Sequence, residues 1–90
     1  MINDKQHEIL MITQEECAEV IQAISKIFRF GLNTKYQSTQ SNLQHLEEEV
    51  GDLLCMIDLL VEKKILRCKP IELAFEAKKK KLRKWSKIMD

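Results

Sequence analysis

Glycine, proline and aromatic side chains are scarce in this chain: two Gly, one Pro, three Phe, one Trp and one Tyr among 90 residues. An all-β domain needs frequent turns and β-favouring aromatics, so that fold class is excluded. No apolar run approaches the roughly 20 residues that a membrane-spanning helix requires, and a membrane protein is not expected. The three cysteines, Cys17, Cys55 and Cys68, are odd in number and lack any CxxC spacing. They fit neither a disulfide framework nor a zinc site, and read as reduced thiols of a cytoplasmic protein. The N-terminus lacks the cationic, apolar architecture of a secretory signal. A strong net charge is also missing, the formal value being +1.

What is present favours helix. Glu, Lys, Leu, Ile and Ala are abundant, and the hydrophobic content of 44% is ordinary for a globular domain. The chain reads as a single domain over residues 1–90, small enough that oligomerisation is expected to complete its core. Three helical patterns are visible. The first runs from about Asp4 to Phe30, with Gly31 as its stop. After the polar stretch "NTKYQSTQS", Ser41 and Gln44 form a capping box for a second helix ending near Lys64. Pro70 suits the first turn of a third, which runs almost to the end. The expected fold is therefore all-α: an antiparallel bundle of three main helices per chain, completed by oligomerisation into a four-helix-type arrangement.

The near-zero net charge conceals an asymmetry. Acids cluster at 15–19 and 47–52, whereas "KKKKLRKWSK" at 78–87 carries seven basic residues and no acid. An anionic ligand bridged by metal, a nucleic acid and a solvated helix end each fit that separation.

The helix faces sharpen the choice. On the second helix, Leu43, Leu46, Val50, Leu53, Ile57 and Leu60 recur at three- and four-residue steps, as a packing seam does. Glu49 and Asp52, at i and i+3, project along one border of that seam, while Glu47 and Glu48 point away. On the first helix the stripe Ile9, Ile12, Val20, Ala23 and Ile27 has one polar slot, filled by Glu16, and Glu19 borders the same face. A carboxylate in a core slot is costly unless neutralised. Four carboxylates brought together from two packed helices would repel one another without a cation. Hard oxygen donors without Cys or His favour Mg²⁺, with Mn²⁺ as a substitute, over zinc. A diiron bundle would need Glu-x-x-His pairs, and neither His7 nor His45 occupies such a position. A lone ExxE pair carries little weight; two pairs bordering apolar seams on consecutive helices carry more. On residues alone, metal binding competes evenly with a satisfied polar edge.

The segments "EECAEVIQAISK" and "LEEEVGDLL" together resemble the ExxE…ExxD signature of the MazG-like all-α nucleoside triphosphate pyrophosphohydrolases. The resemblance spans nearly the whole chain, and "QEECAEVIQAISKIFRFG" with "KLRKWSK" looks like the short, single-domain forms encoded by tailed phages. It implies hydrolysis of a nucleoside triphosphate, (d)NTP, to the monophosphate and pyrophosphate, in the cytoplasm of the host if phage-encoded. Glu16, Glu19, Glu49 and Asp52 would hold Mg²⁺ against the triphosphate, and Glu16 or Glu15 would orient the water that attacks the α-phosphorus. Lys78 matches a basic position on the family's last helix; Lys81 and Arg83 are weaker phosphate-binding candidates. Lys26, seven residues after Glu19 on the same side of its helix, is another, with an exposed lysine as its competitor. The family implies a homodimer or homotetramer. Neither a nucleic-acid nor a membrane partner is expected, since the acids would repel phosphates and the net charge is near neutral. The alternative is a non-enzymatic helical oligomerisation module whose carboxylates form polar seams.

Other side chains read as structural. Cys17 and Cys55 are expected as small buried thiols turned from the acids, Trp85 as a core or subunit contact, and Phe28 to Phe30 as a helix-end cap. Lys78, between Phe75 and Leu82 in the third helix's stripe, is equally suited to snorkelling and to facing an anion. Tyr36 is placed by nothing in the sequence. Gly51 costs its helix roughly 1 kcal/mol relative to alanine, which suggests close approach of a helix or ligand between Glu49 and Asp52.

Overall fold

The computed structural model describes residues 1–35 and 39–89, and Tyr36 lies outside them. Three helices make up the described fold: α1 (Asp4–Phe30), α2 (Asn42–Glu62) and α3 (Cys68–Trp85). Among the described residues there is no strand, and no helix is long and apolar enough to cross a membrane.

Local chemistry sets the helix ends. Asn3 and Gln6 form a reciprocal capping box at the start of α1, and Ser41 and Gln44 form the second one at the start of α2. At the end of α1, Gly31 adopts φ +96° while its N–H donates to the Ile27 carbonyl. A side chain here would be strained, and Thr34 Oγ1 would lie 3.2 Å from its Cβ. The end of α2 is a Schellman turn built without glycine. Lys64 takes the left-handed conformation, φ +66°; its N–H donates to Val61, and that of Ile65 to Leu60. Ile65 then packs on the cluster that contains Leu60, the apolar contact that accompanies such a turn. The helix consequently stops at Glu62, two residues before the expected Lys64.

The packing is between α1 and α2. Ile9, Met56 and Leu60 are the buried centre, with Leu10, Ile12, Leu59, Ile65 and Leu66 around them. Polar ties close both ends of the pair. Gln6 Nε2 donates to the Lys63 carbonyl at 2.8 Å. At the other end, buried Asn42 donates from Nδ2 to the Gly31 carbonyl at 2.8 Å, and the Asn42 and Leu43 N–H groups donate to Thr34 and Leu32. These bonds satisfy backbone groups that a loop would otherwise leave exposed to competition from water.

On α2 the face turned toward α1 keeps Leu46, Leu53 and Leu60 of the expected seam but is turned slightly, so that Asn42, Glu49 and Met56 are covered rather than Leu43 and Val50. Asn42, Met56 and Leu60 are buried, with Leu46, Glu49 and Leu53 partly covered between them, whereas Leu43, Val50 and Leu54 are exposed. The helix is apolar on two adjacent flanks, and α1 covers only one of them.

The third helix stands apart. Three helices around one axis would measure roughly 14 Å across both short directions, given a Cα radius of about 2.3 Å and spacings of about 8–10 Å. The Cα atoms instead span 43 × 36 × 14 Å. The radius of gyration is 16.1 Å, against roughly 12 Å for a compact domain of this length. No residue of α3 is buried; Phe75 is 59% exposed and Trp85 77%. An open apolar groove of about 320 Å³ separates α2 from α3, lined by Leu54, Ile57, Val61 and Ile71 among others, and by none of the four carboxylates.

Candidate metal centre

α1 and α2 bring three carboxylates together. One oxygen each from Glu16, Glu49 and Asp52 lies within 4.8 Å of the others. Their placement follows from helix geometry. Glu16 occupies the apolar row of α1 four residues after Ile12 and four before Val20, so the packing that buries this row carries its carboxyl toward α2. Glu49 lies in the covered row of α2, between Leu46 and Leu53, rather than at its border. Asp52, one turn further, is exposed. Glu19 is partly buried beside Glu16, but is not among the three converging acids.

The electrostatics are unfavourable for three bare anions. Glu16 Oε2 is fully buried and has no hydrogen-bond partner. Burial of its carboxyl, followed by the charges of Asp52, Glu49, Glu19 and Glu15, raises its pKa above the ordinary glutamate value. An unpartnered buried oxygen that faces other carboxylates is what a proton or a cation would satisfy. The donors suit a hard divalent ion: all oxygen, negatively charged, and on a partly exposed edge that leaves positions for water or phosphate. Opposite ligands of octahedral Mg²⁺ are about 4.2 Å apart, so small side-chain movements would bring these oxygens to such an ion. The residues fit a divalent cation.

The remaining candidates lie elsewhere. Glu15 is exposed on α1, and Lys26 is partly covered near the same helix's end. Lys78, Lys81 and Arg83 are all exposed on α3. In the stripe of α3 it is Lys79, not Lys78, that folds over an apolar neighbour, its Nζ 4.7 Å from the Phe75 ring centre. Lys84 similarly covers Trp85 at 5.0 Å. The cysteines depart from expectation: Cys17 and Cys55 are exposed, as is Cys68. They sit on the outer flanks of helices that bury only one face within the chain. Trp85 is likewise no part of a core within this chain, and Phe28, 84% exposed, caps nothing. A Cβ on Gly51 would meet no atom within 4 Å, so no helix of the same chain approaches it.

One side chain at the centre has no assigned role in the sequence reading. His45 Nε2 lies 3.3 Å from Glu49 Oε1, in the only ion-pair contact among the described residues. The signal that would have found it is the i, i+4 spacing of the two residues on one helix.

No curated protein and no solved structure matches the chain. A family model, the MazG nucleotide pyrophosphohydrolase domain, matches residues 4–84, a span that contains all three helices nearly complete and every carboxylate of the cluster. The chain belongs to the MazG nucleotide pyrophosphohydrolase domain family.

Proposed function

We propose that the protein is a Mg²⁺-dependent pyrophosphohydrolase that converts a nucleoside triphosphate, a dNTP foremost, into the monophosphate and pyrophosphate. The observation that carries this reading is the buried, unpartnered Oε2 of Glu16 facing Glu49 and Asp52, in a chain of a pyrophosphohydrolase family. Glu16, Glu49 and Asp52 hold the ion, with Glu19 alongside. When bound, Mg²⁺ neutralises triphosphate charge and makes water a competent nucleophile at neutral pH. Glu16 or exposed Glu15 orients the attacking water and accepts its proton. A bond forms between the water oxygen and the α-phosphorus, the α–β anhydride bond breaks, and pyrophosphate leaves with the electron pair. Lys26, Lys78, Lys81 and Arg83 supply positive charge for the phosphates.

Assembly is part of the proposal. α1 and α2 run antiparallel, and a second copy covers the apolar flanks left open, including Val50, Leu54, Phe75 and Trp85, to complete a four-helix core in a homodimer or homotetramer. A non-enzymatic helical module would share those apolar flanks, but it gives no reason for a buried carboxylate without a partner. The proposed setting is the cytoplasm, where nucleotides and Mg²⁺ are both available.

Incubation with each dNTP and NTP in the presence of Mg²⁺, with product identification, tests the reading. Monophosphate and pyrophosphate are expected. No turnover of any nucleotide, or release of orthophosphate alone, contradicts it.

A further inference from the structure

A cation site built from long, flexible glutamates binds well only when their carboxylates are held, because each free torsion must otherwise be ordered when the ion binds. Glu16 is held by the packing around its oxygen. Glu49 is held differently. Its side chain is 13% exposed and that of His45 24%, and their polar ends meet at 3.3 Å, one helical turn apart. His45 contributes no atom to the carboxylate cluster itself. Protonated at Nε2, the ring can donate from this nitrogen toward the carboxylate. At 3.3 Å the contact lies just beyond the usual N–H···O range.

We infer that His45 is a positioning residue for the metal centre: its ring fixes the Glu49 carboxylate in the orientation that brings an oxygen within reach of those of Glu16 and Asp52. This rests on the metal-centre reading above. His45 is not a ligand in this arrangement; it acts through Glu49, as ring and carbonyl groups behind metal-binding side chains commonly do.

The test uses the full chain and Mn²⁺ alone, with bound and free ion distinguished by electron paramagnetic resonance. His45→Leu is expected to weaken Mn²⁺ binding by about 10-fold or more, while the melting temperature without metal stays close to that of the unaltered chain. His45→Gln keeps a donor that reaches i+4, and is expected to recover most of the affinity. Mn²⁺ affinity of His45→Leu within about twofold of the unaltered protein overturns the inference, as does His45→Gln binding no better than His45→Leu. Should His45→Leu lose its helical circular dichroism, the pair His45→Gln and His45→Asn decides, because the shorter amide cannot reach Glu49. Equal affinities for that pair overturn the inference. Failure of the unaltered chain to bind Mn²⁺ at all overturns the metal centre itself, and the role of His45 with it.

Discussion

The α1–α2 pair and α3 divide the molecule's chemistry and its packing between them. The pair buries Ile9, Met56 and Leu60, ties both of its ends with side-chain hydrogen bonds, and concentrates the acids. α3 buries nothing and carries seven of the 15 basic residues, and a lysine of the same helix lies over each of its exposed aromatic rings. The difference teaches that burial and charge are left incomplete in different places. The pair has its own apolar core but lacks a counter-charge; α3 has charge to spare but lacks an apolar neighbour. In the proposed function a cation satisfies the first and a second copy the second, and a triphosphate links the two signs.

The largest effect expected from breaking this comparison is on the acidic side. Glu49→Gln or Asp52→Asn should lower turnover by about 10²-fold or more while helical circular dichroism is retained. Full activity in both variants would show that the cluster is not the site. Next come paired truncations in the two regions. Leu60→Ala, in the core of the α1–α2 pair, should cost about 2–5 kcal/mol, at any protein concentration. Phe75→Ala and Trp85→Ala should instead weaken self-association, so that their destabilisation grows as the protein is diluted. Light scattering and melts over a dilution series separate these outcomes, and concentration-independent effects on α3 would argue against its being covered by a second copy.

A smaller effect concerns pH. Because the Glu16 pKa is raised in the folded chain, the folded state keeps this proton to higher pH than the unfolded state does. Stability without metal is therefore full below the ordinary glutamate range and falls as pH rises through it to the raised value. Glu16→Gln should flatten that fall, and Mg²⁺ should offset it in the unaltered chain but not in the variant. Thermal melts in chelator and in Mg²⁺, across the acid-to-neutral range, check both signs. The smallest effect belongs to Gly51. Its surroundings are open within the chain, so Gly51→Ala should gain about 0.5–1 kcal/mol of helix stability. Lost activity or weakened self-association beside that gain would show that a ligand or second copy approaches the backbone there.

The parts of the fold legible in the sequence were those with local causes. Gly31 as a stop, the Ser41–Gln44 capping box and Pro70 in a first turn depend on neighbours within a few residues, and α1 ends, and α2 and α3 begin, where these signals lie. The end of α2 was less legible because Lys64 occupies a left-handed position that usually signals itself by glycine. The rotation of α2 was hidden for a different reason. Leu43 and Val50 are as apolar as the side chains that α1 does cover, and periodicity does not say which flank a neighbour takes. That rotation moves Glu49 from the seam's border into its covered row, and with it His45. Glu16 in an apolar slot was visible from spacing, since a carboxylate among Ile12, Val20 and Ala23 breaks the pattern by itself. Whether α3 packs on its own chain was not visible, because an apolar stripe specifies burial and not the partner.

The central claim is that the carboxylates shared by α1 and α2 support Mg²⁺-dependent attack of water on the α-phosphorus. Hydrolysis of a dNTP in ¹⁸O-labelled water, with mass analysis of both products, tests it most directly. The account predicts Mg²⁺-dependent turnover with the label in the monophosphate and none in pyrophosphate; label in the pyrophosphate, or turnover unaffected by removing Mg²⁺, would contradict it.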